Sequence, residues 1–97
     1  MTVSDLEASA RDDDAPPPDL APRLRALWLA RAGRWHEAHD LCQDIAEPDG
    51  AWIHAYLHRE EGDLGNAAYW YARARRNAPG PEVSLEEEWR AIASAFV

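Results

Sequence analysis

A short motif, Gly33-x-Trp35-x-x-Ala38, returns 29 residues later as Gly62-x-Leu64-x-x-Ala67. The same offset pairs Ala26 with Ala55, Leu27 with Tyr56, Leu41 with Trp70, Cys42 with Tyr71, and Ile45 with Ala74. Packing gives this pattern a meaning. Two helices joined by a tight turn need a glycine at the turn and small residues where their backbones approach, with larger side chains filling the gaps. The centre of the chain therefore reads as two degenerate helix-turn-helix units.

Local signals place the helices. Pro22 suits a first helical turn, where its missing N–H is not needed. Leu24, Leu27, Trp28 and Arg31 follow at helical spacing, and Gly33 ends the run. Trp35, Ala38, Leu41, Cys42 and Ile45 step by threes and fours. Glu47-Pro48-Asp49-Gly50 is a turn, with Asp49 an expected N-cap. A third helix is predicted from about Ala51 to Glu61, ended by Gly62. Asp63 is the expected N-cap of a fourth, which carries Leu64, Ala67, Ala68, Tyr71, Ala74 and Ala78, before Pro79-Gly80-Pro81 stops it. Ser84 and Glu87 form a capping box. Leu85, Trp89, Ile92, Ala93 and Phe96 then give the last helix an apolar stripe.

Residues 1–20 differ from the rest. They hold six acidic residues, one arginine and the run Pro16-Pro17-Pro18. Such a segment has little apolar surface with which to offset its ordering entropy. It is expected to be a disordered acidic arm, with docking onto arginines of the domain as the other reading. About 77 residues remain for a core, near the lower limit for a domain without staples. Five tryptophans compensate. The lone cysteine, Cys42, excludes an intramolecular disulfide and fits a reducing compartment. No run approaches bilayer-spanning length and the acidic start is not a secretory signal, so a cytoplasmic protein is expected. The net charge of −8 argues against nucleic acid as a partner.

The segment from Gly62 to Ala74, followed by Pro79, resembles the second half of a tetratricopeptide or SEL1-like repeat. Gly62, Ala67, Tyr71, Ala74 and Pro79 match its spacing, and Trp70-Tyr71 before Arg73-Ala74 is SEL1-like in particular. The first copy keeps Gly33, Trp35 and Ala38 but has Cys42 in place of the aromatic residue. The string from His54 to Asp63, with Tyr69-Trp70-Tyr71, also resembles a group of small microbial proteins, a resemblance that implies no activity. The repeat resemblance implies an all-α fold: two antiparallel helical hairpins and a C-terminal capping helix, five helices in a right-handed stacked array. On this reading repeat 1 spans about 22–47, repeat 2 about 50–79 and the capping helix about 84–96, within a helical-repeat domain of residues 21–97 after the arm of residues 1–20.

The resemblance also implies a non-enzymatic module that binds a protein or peptide. Trp52, Tyr56, Arg59 and Glu60 would form the binding strip, helped by Trp28 or Leu27, since aromatic and arginine residues are common hot spots. The other reading of that face is core, or contact with the last helix. Arg73, Arg75 and Arg76 complement the helix dipole at the end of the fourth helix and form a candidate anion patch. His54 and His58 stand at i and i+4, the spacing that turns two imidazoles to one point. His36 and His39 stand on the preceding helix, so a metal site drawing on all four is the alternative to the interaction module. Against it, Ala55 after His54 breaks the zinc-protease motif, and the repeat alignment puts both histidines at packing positions near Tyr71. Cys42 lies on an apolar stripe, three residues after His39, and reads as a small buried hydrophobe. No cofactor is called for, and no set of residues suggests an enzyme. Two hairpins leave apolar edges, which also makes a homo-oligomer an expectation.

Overall fold

In the computed structural model, which describes residues 1–97, one helix is surrounded by the others. The helices are α1 (Val3–Asp12), α2 (Pro22–Arg31), α3 (Trp35–Cys42), α4 (Asp49–Glu61), α5 (Leu64–Ala74) and α6 (Leu85–Phe96). Every residue of α4 from Gly50 to His58 is buried. A helix enclosed on all sides must sit at the centre, and α2, α3, α5 and α6 all pack on it. α6 also lies on α2, and α1 closes over α2 and α6. No helix is long and apolar enough to cross a membrane.

Two expectations need correction. There are six helices rather than five, and the extra one lies in the segment expected to be a disordered arm. Thr2 and Asp5 cap each other at its start. Leu6 is fully buried, Ala10 nearly so, and Val3 packs against the core. Ser9 Oγ accepts a hydrogen bond from Trp28 Nε1 at 3.0 Å. Glu7 pairs with both Arg31 and Arg90. The acidic segment thus orders on arginines that the fold gathers, and few apolar residues suffice because each is well placed. Second, the helices do not form a stacked array. They close into a globule of 33 × 28 × 22 Å, with α6 laid across α2 and α4 and α5 packed along α4.

The glycines of the repeated motif have one job. After α2, Gly33 N–H donates to Ala30 O and Arg34 N–H to Leu29 O. After α4, Gly62 N–H donates to Arg59 O and Asp63 N–H to His58 O. This pairing satisfies the last carbonyls of a helix and requires a left-handed residue; the φ values are 81° at Gly33 and 89° at Gly62. The same pair of bonds ends α5, but there Arg75 takes φ 59° without being glycine. A methyl group at Gly62 would meet nothing within 4 Å, so Gly62→Ala pays the backbone cost alone. It is expected to lose about 1–2 kcal/mol, read as a lower urea midpoint with an unchanged slope. An unchanged midpoint would show that the left-handed turn carries no such strain.

Three of the five indoles are bolted in by their N–H groups. Trp89 Nε1 donates to Leu27 O at 2.8 Å, Trp35 Nε1 to Leu57 O at 2.8 Å, and Trp28 to Ser9 as above. Trp28 and Trp89 are the largest fully buried side chains. Asp63 caps α5 by accepting from Asn66 N–H, and Ser84 with Glu87 caps α6. Asp49 opens α4 as its first residue, with Pro48 in the cap position.

Candidate metal centre

The two sides of α4 do different things. Trp52, Tyr56 and Arg59 recur on one face, and His54 and His58 project from the opposite one, as helical spacing requires.

On the first face the resemblance placed a peptide-binding strip. There α6 lies on the helix. Trp52 meets Phe96 edge to face at 5.7 Å, and Arg76 stacks over the Trp52 ring at 3.4 Å. Tyr56 is buried. Arg59 donates to Glu88 at 2.9 Å and to the Val83 carbonyl. Of the four residues, Glu60 alone is exposed. The chain's own last helix therefore covers much of this side, leaving Trp52 at the edge of one groove and Arg59 at the edge of another. The arginines at the end of α5 do not converge either. Arg73 turns to Glu47 and Tyr69. Arg75 and Arg76 line a groove that also holds the carboxylates of Glu87 and Glu88.

On the second face three imidazoles meet. His54 and His58 come from α4 and His39 from α3. One ring nitrogen of each lies within 4.8 Å of the other two. The His54 and His58 rings are parallel at 5.9 Å, and His39 stands edge-on to both, at 4.7 and 5.3 Å. Indoles hold the outer faces. Trp70 of α5 stacks on His54 at 4.0 Å, and Trp35 stacks on His39 at 4.9 Å. His54 thus meets Trp70, whereas the hydroxyl of Tyr71 is committed to Glu88. His36 is exposed on the outer side of α3 and takes no part in the trio.

The reason α3 turns in His39 rather than His36 is local. Ala38 and Cys42 are its buried stripe. Trp35 and His39, one turn apart, flank that stripe on the side facing α4, while His36 is carried round to water.

The three side chains are suited to coordination. Burial, reinforced by the charges of His39 and His58, pushes the His54 imidazole down to about 4. Burial also lowers His39, with His58 adding to the effect. Both rings are therefore neutral near neutral pH, the form that binds metal. His39 Nδ1 lies 3.1 Å from the Gln43 amide. His58 Nδ1 is enclosed and makes no hydrogen bond, and its nearest acceptor, Glu61 Oε2, is 3.7 Å away. A carboxylate that accepts from the second ring nitrogen of a ligating histidine fixes its ring and tautomer, and Glu61 is the carboxylate beside His58; the Gln43 atom facing His39 is its amide nitrogen, a donor.

Tetrahedral zinc with Zn–N bonds of about 2.0–2.1 Å sets its nitrogens about 3.3 Å apart. The observed spacing closes to that value with movements on the order of an ångström, within the reach of χ2 rotation. Cys42 stays outside. Its thiol is buried, donates to His39 O at 3.1 Å, and is pushed up to about 12 by burial. Such a sulfur is a packing atom, not a nucleophile or ligand.

No family model, curated protein or solved structure matches the chain.

Proposed function

We propose that this protein binds a transition-metal ion through His39, His54 and His58. The observation that carries the reading is the meeting of three imidazole nitrogens from two helices within 4.8 Å of one another. Imidazole donors suit Zn²⁺, Cu²⁺ and Ni²⁺ and disfavour Mg²⁺ and Ca²⁺, which prefer oxygen. Support comes also from His58, whose buried Nδ1 has no hydrogen bond. Coordination through Nε2 would fix the proton on Nδ1 and leave it directed at the Glu61 carboxylate. In this reading the ion clasps short α3 to central α4, and the indoles of Trp35 and Trp70 brace the two outer rings.

Calorimetric titration of tag-free, metal-stripped protein with Zn²⁺ tests the reading. One ion per chain is expected. At a free-ion concentration about 100 times Kd the fold gains about 2.7 kcal/mol, which raises Tm by on the order of 10 °C for a domain of this size. His39→Ala removes a half-buried ligand with little damage to the core and is expected to abolish the Tm rise. His36→Ala is expected to leave it intact. No binding heat and no Tm change with Zn²⁺, Cu²⁺ or Ni²⁺ would overturn the reading, as would full binding by His39→Ala.

A further inference from the structure

We infer that a metal ion held by His39, His54 and His58 keeps one coordination position for a small external anion, an inference that rests on the metal-binding reading above. The donor set is the first reason. Three neutral imidazoles leave the full charge of a divalent ion uncompensated, and a four-coordinate ion with three protein ligands carries an exchangeable fourth. No cysteine, carboxylate or further histidine joins the trio as a fourth donor. Glu61 and Asp63 gather with His58 alone and do not join the trio, and the Cys42 thiol is engaged elsewhere.

Access is the second reason. The trio forms the floor of a depression between α3 and α5, walled by Trp35 and Trp70. His54 and His58 are buried, His39 is half-buried, and the Gln43 and Asn66 side chains at the rim are exposed. The open side of the ion therefore faces water. The indole walls are apolar and uncharged, and no carboxylate lines the depression itself, although Asp40, Glu47 and Glu61 stand close enough to act on the histidines. The Asn66 amide at the rim can donate a hydrogen bond to it. Binding is a simple exchange: the metal–water bond breaks, water leaves, and a lone pair of the anion forms the new bond, with no change in oxidation state.

The test uses Co²⁺ as a visible reporter and azide as the anion. The full chain is loaded with Co²⁺, binding is confirmed by calorimetry, and azide is titrated while the d–d absorption is followed. A saturable spectral change is expected. Asn66→Ala is expected to weaken azide roughly 2- to 10-fold, the worth of one hydrogen bond, with Co²⁺ affinity unchanged. A Co²⁺ complex whose spectrum ignores azide would overturn the inference and leave the metal site standing. An azide affinity indifferent to Asn66→Ala would overturn the hydrogen bond assigned to Asn66. A failure to bind Co²⁺ at all would overturn both readings together.

Discussion

Glu88→Ala is expected to lower the unfolding free energy by about 3–5 kcal/mol, the range for stripping one partner from a buried ion pair. Glu88 is only 6% exposed. It accepts hydrogen bonds from Arg59 Nη1 and from the Tyr71 hydroxyl, joining α4, α5 and α6 at one point. The Arg59 side chain is itself 15% exposed. Removal of the carboxylate leaves that guanidinium with the Val83 carbonyl as its remaining acceptor. It also strands a buried phenol, whose proton burial and the Glu88 hydrogen bond now hold more tightly than usual. Glu88→Gln keeps an acceptor and removes the charge, so a smaller loss is expected. The double variant Arg59→Met/Glu88→Leu removes both charges and is expected to recover most of the stability, because well-packed apolar pairs replace buried ion pairs at little cost. Urea denaturation followed by tryptophan fluorescence measures all three. A Glu88→Ala loss below about 1 kcal/mol, the value of an ordinary surface pair, would show that the network is not desolvated.

The same face of α4 shows what the sequence could and could not reveal. Its aromatic and arginine residues stand out in the sequence, and helical spacing correctly groups Trp52, Tyr56 and Arg59. What lies on them is a matter of how α6 returns across the fold, and spacing within one helix carries no such information. The stops and starts were legible because they are local: Gly62, Asp63 and the Ser84–Glu87 box act within a few residues of themselves. α1 was not. Its signals were present in Thr2 and Asp5 as a cap and in Val3, Leu6 and Ala10 as a stripe. Acidic composition outweighed them, since the arginines that answer Glu7 lie 24 and 83 residues further on. The histidines fall between these cases. The pair on α4 followed from i, i+4 spacing. The choice of His39 over His36 was open to a closer reading of the Ala38–Cys42 stripe. The convergence of the two helices was not.

Acid is expected to weaken the metal-free protein through His54 before most carboxylates titrate. The folded imidazole titrates at about 4, against 6.5 for the unperturbed side chain. Above the unfolded value both states are neutral and nothing is lost. As pH falls through 6.5 the unfolded chain takes up a proton that the folded chain refuses, so stability drops, until the folded ring also protonates near 4. The loss from this one group is about 2 kcal/mol between pH 7 and pH 5. His39, lowered in the same direction, adds to it. The groups facing His54 explain why it resists the proton. They are the rings of His39, His58 and Trp70, with Glu47 the one opposing charge. Urea midpoints with a chelator present, taken across that pH range for the natural chain and for His54→Gln, isolate the effect. The variant is expected to start less stable, having lost its stack on Trp70, but to fall less steeply. Equal slopes would mean that His54 is hydrated in the folded state. The trio would then lack the dry floor that keeps the His54 imidazole free of a proton and ready for an ion.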